Sequence, residues 1–251
     1  MSVSRLALAG AVSLALCIGS AAWAAGAPVR VPPAVAAAVA DPGRPEADRA
    51  RDANRHPAEA VAFAGVKPGD KVAELISAGG YYTRILAKAV GPNGRVYALM
   101  PAALAARPGM MDGLNAIAAA YPNVTVVATD LTSFTLPEKV DLVWTTENYH
   151  DLHNGPAPNI AGVDKAVFDA LKPGGTFYVE DHSAAPGAGL EATSKFHRMD
   201  EAVAKKELAE AGFHLEAESD LLRNPADNRN AANAEGGHFT SDRFMLRLKR
   251  P

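Results

Sequence analysis

Between residues 145 and 154 the chain reads TTENYHDLHN, its densest cluster of polar side chains. An imidazole titrates near neutrality, so His150 is the candidate general base, with Asp151 or Glu147 as the carboxylate that orients its ring. The competing reading makes His150 a turn cap or a packing residue. The same turn also suggests a metal set, because His150 and His153 could combine with Glu180, Asp181 and His182 at a later strand end as nitrogen and oxygen ligands. His-x-x-His is short and common, and the spacing fixes no further ligand, so no metal is expected.

A second stretch with chemical potential is ELISAGGYY, residues 74 to 82. Gly79 and Gly80 stand where a strand passes into a helix, a place where glycine tolerates positive φ and lets a ligand approach the backbone. Glu74 lies within an otherwise apolar strand and needs a partner, which a bound ammonium group or a water would supply. Tyr81 and Tyr82 are placed either to line a substrate pocket or to pack on the sheet. Arg51, Asp52 and Arg55 read as a solvated helix face, with a substrate clamp as the alternative. The segment RNPADNRN, residues 223 to 230, carries turn residues and forms a loop or a lid. Spacing gives no partner for His197 or His214.

These residues need a scaffold that brings them together. Short β-branched or aromatic runs predict strands near 71–76, 94–99, 124–128, 140–145 and 174–180. Apolar spacing at i, i+3 and i+4 predicts helices near 81–90, 111–120 and 162–171, with a longer one from about 195 to 211. Strands alternating with helices make a doubly wound, mostly parallel α/β sheet, and the alternation of Phe244, Leu246 and Leu248 adds an antiparallel terminal pair, for seven strands in all. In such a sheet the ligand crevice lies at the carboxyl ends of the strands, where strand order reverses. The turns at 76–81, 99–101, 129–133, 145–151 and 180–183 should therefore meet at one cleft.

Apolar residues make up 48% of the chain and charged residues 21%, the balance of a globular protein. Residues 1–24 show Arg5, an apolar run from Leu6 to Ile18 and a small-residue exit at Ala22-Trp23-Ala24, which is the layout of a cleavable signal peptide and predicts export to a periplasmic or extracellular location. The run is too short for a stable membrane span. Cleavage would remove the single cysteine, Cys17, and so exclude disulfides and thiol catalysis. It would also remove Arg5 from the 25 basic residues, leaving 24 against 28 acidic ones, or −4. That charge argues against nucleic acid as a partner. Residues 25–65 read as a linker and N-terminal helical arm, and residues 66–251 as the main domain.

Taken together, these segments resemble class I S-adenosylmethionine-dependent methyltransferases. Glu74, Gly79 and Gly80 match the family's acid and glycine-rich turn, GPNGRVYAL the approach to the second strand, and ATDLTSF the turn after the third. VDLVWTTENYHDL is similar to the fourth-strand segment, and ALKPGGTFYVED, the most specific string, to the helix, turn and fifth strand. DRARDANRHPAEAVAF and DLLRNPADNRN further resemble a group of secreted or periplasmic methyltransferase-like proteins. The resemblance implies a Rossmann-like methyltransferase fold and methyl transfer from S-adenosylmethionine to a small molecule. It implies that Glu74, Gly79 and Gly80 face the methionine end of that cofactor, and that Ser77 and Thr146 contact it as well. Asp130 would accept from the adenine amino group, with the Leu131 backbone close to the ring. Ile76 and Ala78 stand in place of glycines, and Met100 in place of the acid that holds the ribose, a substitution that would weaken binding. An exported binding or accessory protein and a metal-dependent hydrolase are the alternative functions.

Overall fold

The computed structural model describes residues 29–155, 158–231 and 241–251. The segment read as a signal peptide, residues 1–24, lies outside them. Four short helices come first: α1 (Pro33–Val39), α2 (Glu46–Arg49), α3 (Asp52–Arg55) and α4 (Pro57–Ala64). Then follow β1 (Lys71–Leu75), α5 (Tyr81–Val90), β2 (Arg95–Pro101), α6 (Ala102–Ala105), α7 (Asp112–Ala120), β3 (Val124–Thr129) and β4 (Val140–Thr146). A 3-10 turn at His150–His153 leads to α8 (Ile160–Ala170) and β5 (Leu171–His182). The chain ends with α9 (Glu191–Phe196), α10 (Glu201–Glu210), β6 (His214–Ser219) and β7 (Arg243–Lys249).

The seven strands form one sheet in the order β3-β2-β1-β4-β5-β7-β6. The first five run parallel, while β7 is antiparallel to both β5 and β6. Strand order reverses between β1 and β4, which sets the crevice there. Because side chains alternate across a strand, each central strand feeds two cores. Val72, Ala98, Met100, Leu142, Trp144 and Tyr178 pack with α1, α4, α5 and α7 on one face. Ala73, Leu75, Leu99, Val143, Phe177 and Val179 pack with α8 and α10 on the other. The amino-terminal arm shares the first core, through Val35, Ala38, Val61 and Phe63.

The helix expected over 195–211 is two helices. His197 adopts φ 50°, and Met199 pairs with the end of β5, its N–H donating to the His182 carbonyl at 2.8 Å. Asp200 then caps α10 by accepting from the Ala202 N–H at 3.0 Å. Apolar periodicity continues across this break, so it hid a tertiary backbone contact. Among the described residues no helix is long and apolar enough to cross a membrane.

Candidate active site

At the switch point a cleft of about 290 Å³ opens, at the lower edge of the usual ligand-pocket range. Glu74, Ser77 and Gly79 line it from the β1 turn and Thr146, Glu147 and Asn148 from the β4 turn. Larger hollows lie elsewhere, one of about 410 Å³ around Lys67, Asp70, Asp141 and Lys172. Those residues sit at the amino ends of the strands, the end that parallel sheets do not use for ligands.

The two turns are stapled together. Asn148 Nδ2 donates to the carbonyls of Leu75 (3.3 Å) and Ile76 (3.5 Å), and the Thr145 hydroxyl donates to Asn148 Oδ1. Ser77 N–H donates to the Leu99 carbonyl at 3.1 Å, tying the β1 turn to β2. Held this way, Ile76 (φ 51°), Ala78 (φ 45°) and Glu147 (φ 55°) occupy the left-handed region that favours glycine. All three line the cleft. Such strain persists only where the surroundings enforce it, and it gathers at functional sites.

Glu74 points from β1 toward α5, where the Thr83 hydroxyl donates to its carboxylate. Burial pushes its pKa up to about 7, against the opposing pull of the Thr83 bond. The two glycines differ in role. A Cβ on Gly79 would meet nothing within 4 Å, so that surface is free for a ligand. Gly80, at φ 75°, would place a Cβ 2.1 Å from Ile117 Cδ1, so its glycine serves helix packing.

The arm closes the cleft, which corrects the reading of Arg51, Asp52 and Arg55 as a solvated face. Arg55 is buried and pairs with Glu147. Asp52 accepts from Arg44 (2.7 and 2.8 Å) and from the Tyr81 hydroxyl (2.6 Å). Arg51 lies over the Tyr81 ring, 5.1 Å from its centroid, with its pKa lowered by burial and by neighbouring Arg55. Tyr81 and Tyr82 combine both expected roles: they line the cleft, and Tyr82 packs 4.7 Å from Trp144.

Glu147 is also corrected. Its carboxylate is held by Arg55 and by Arg243 (2.8 Å), which also grips buried Glu180 (2.9 Å), so it does not orient His150. Asp181 does that. The His150 Nδ1 lies 2.8 Å from Asp181 Oδ1, and its backbone N–H donates to Asp181 Oδ2 at 2.6 Å. Asp151 approaches the other ring nitrogen at 3.3 Å. Burial opposes charging, but the Asp181 and Asp151 carboxylates outweigh it and carry the His150 pKa up to about 10. With Nδ1 on Asp181 and Nε2 toward Asp151, both ring nitrogens face carboxylates.

Three residues expected at the adenosine end are not among those that line the cleft. Met100 is 1% exposed and packs in the α5 core, so it does not occupy a ribose-contacting position. Asp130 turns on its own loop, accepting from the Thr132 N–H (2.9 Å) and hydroxyl (2.8 Å). Leu131 is buried in the opposite core. Of the metal set weighed from sequence, His153 turns to Glu207 (3.0 Å), Glu180 to Arg243, and His182 to Ser241 (2.7 Å). The loop 223–230 is tied down by Asp227 against buried Arg198 at 2.8 Å.

No protein-family model matches the sequence, and no curated protein is detectably similar to it. Solved structures are similar in fold. An S-adenosylmethionine-dependent methyltransferase from Aquifex aeolicus aligns over 76% of this chain and 87% of its own, at TM-score 0.55 and 18% identity. An arsenic(III) S-adenosylmethionine methyltransferase from Chlamydomonas reinhardtii aligns over 87% and 73%, at 0.57 and 18%. The 4+2 cyclase SpnF aligns over 84% of each chain at 0.59 and 13%. The chain therefore has the Rossmann-like fold of class I S-adenosylmethionine-dependent methyltransferases, with its strained cleft at the switch point.

Proposed function

We propose that this protein transfers a methyl group from S-adenosylmethionine to a small-molecule acceptor in the cleft between β1, β4 and the arm. The observation that carries the reading is the strained backbone at Ile76, Ala78 and Glu147, wrapped around a buried carboxylate and an open Gly79 surface. The donor set suits the amino-acid end of the cofactor, with Glu74 for the ammonium group and Arg51 for the carboxylate. The cofactor supplies the methyl group as an electrophilic sulfonium. The chain supplies placement, which is the larger need of an in-line displacement. The methyltransferases that share the fold support this reading, while the cyclase shows that fold alone does not decide it.

Calorimetry with S-adenosylmethionine and S-adenosylhomocysteine tests the proposal. Saturable binding that weakens at least tenfold in Gly79→Val, with an unchanged thermal transition, supports it. Absence of binding at millimolar ligand rejects it. We further propose that the protein acts outside the cytoplasm, on the layout of residues 1–24. Amino-terminal sequencing of the expressed protein would support this by a start near Ala25 and refute it by a retained leader.

A further inference from the structure

We propose that His150, Asp151 and His197 bind one divalent transition-metal ion at the rim of the cleft. The donors come from two separate places, the 3-10 turn after β4 and the residue that ends α9. Asp151 Oδ1 lies 3.3 Å from His150 Nε2 and 3.7 Å from His197 Nδ1, and the three donor atoms fall within 4.8 Å of one another. Bonds of about 2.0–2.2 Å in a tetrahedral site set neighbouring donors roughly 3.3–3.6 Å apart, close to the two distances that Asp151 already holds. The His150 and His197 rings stand at 81° with centroids 5.6 Å apart, so they do not stack.

The second observation lies behind His150. Asp181 is fully buried and accepts the backbone N–H groups of His150 (2.6 Å) and His182 (2.7 Å). Fixed by both, its carboxylate faces His150 Nδ1 and leaves Nε2 directed at Asp151. A carboxylate behind a histidine that presents its other nitrogen is the support metal-ligating imidazoles have. His197 is likewise set by anchored neighbours: Arg198 is buried against Asp227, and Met199 pairs with His182 and Ala184.

Two nitrogens and one oxygen suit zinc or iron better than calcium or magnesium. Three protein ligands leave coordination positions open, as in catalytic rather than structural sites. Asp151 lines the cleft, which puts the ion at its rim, where an acceptor oxygen would complete the sphere. That last step rests on the methyl-transfer reading, whereas the ion site does not.

The test is a zinc titration of the chelator-treated full-length protein, by calorimetry and without S-adenosylmethionine. One equivalent should bind. His197→Ala and Asp151→Asn should each weaken binding at least tenfold, and Asp181→Asn by about ten- to a hundredfold through orientation alone. His214→Ala, an exposed site on β6, should bind as the parent does. No saturable zinc binding, or undiminished binding by His197→Ala, overturns the proposal. If Asp181→Asn unfolds, the exposed His197 still decides the matter. Zinc binding without cofactor binding would sink only the methyl-transfer reading, and the converse only the ion site.

Discussion

Replacing Glu74 with glutamine should make the protein less sensitive to pH, by an amount the structure fixes. The carboxyl titrates at about 7 in the folded chain, against an ordinary value of 4.5. Between those values the native state keeps a proton that the unfolded state has lost. Stability is therefore highest below about 4.5, falls as pH rises, and reaches its full deficit above about 7. At ~1.36 kcal/mol per pH unit, the gap amounts to about 3 kcal/mol. Urea unfolding of wild type and Glu74→Gln from pH 4.5 to 8 reads it directly, since other titrating groups cancel in the difference. The variant should gain about 3 kcal/mol on wild type across that range. Parallel curves would refute the assignment of a proton to Glu74. The same group links pH to cofactor binding, because an ammonium partner favours the ionised form. Below pH 7 binding should release a proton, and affinity should fall toward tenfold per pH unit. Calorimetry in buffers of different ionisation enthalpy measures that release, and a value of zero would remove Glu74 from the ammonium site.

Further perturbations separate strain, packing and charge. Ala78→Gly should raise stability by up to about 1 kcal/mol, since it removes an exposed left-handed alanine at some cost in chain entropy; thermal unfolding checks it. Gly80→Ala meets both the Ile117 methyl and an unfavourable φ, and should lower stability by about 2–4 kcal/mol in the same assay. Arg243→Met leaves Glu180 buried without its cation and should cost about 3–5 kcal/mol in urea unfolding. Met100→Glu buries a carboxylate in the α5 core, so it should destabilise the fold by several kcal/mol rather than tighten cofactor binding, as calorimetry and unfolding together would show.

Local pattern carried the sheet because every central strand is short, apolar and bounded by turn residues, as in GTFYVED and VDLVWTT. It also carried the β1 and β4 turns, whose glycines and polar residues sit at strand ends. What it missed depends on contacts distant in sequence. Arg51 and Arg55 resemble a solvated helix face until the arm folds back and Glu147 meets Arg55. Asp181 and His150 stand at the ends of neighbouring strands, and only the β4–β5 pairing joins them. His197 gains meaning from a helix break that apolar spacing conceals. Met100 misled for another reason: it stands near the end of β2, but strand alternation turns its side chain into the core.

The turn after β1 sharpens the meaning of a missing glycine. Ile76 and Ala78 look like losses from a glycine-rich loop, and a scaffold that had abandoned ligand binding could relax there. The backbone has not relaxed. Both residues hold positive φ, as does Glu147 across the cleft, at a cost on the order of 1–2 kcal/mol each against a net stability of roughly 5–15. The restraints that enforce this lie around the cleft: Asn148 on the Leu75 and Ile76 carbonyls, Ser77 on Leu99, Arg55 and Arg243 on Glu147. Glycine geometry is thus retained by neighbouring hydrogen bonds and ion pairs where the residue itself is absent. If that geometry serves a ligand, cutting the staple with Asn148→Ala should let the turn relax, raising or barely changing stability while abolishing cofactor binding. A variant that lost stability and still bound the cofactor as tightly would show that the strain belongs to the fold alone.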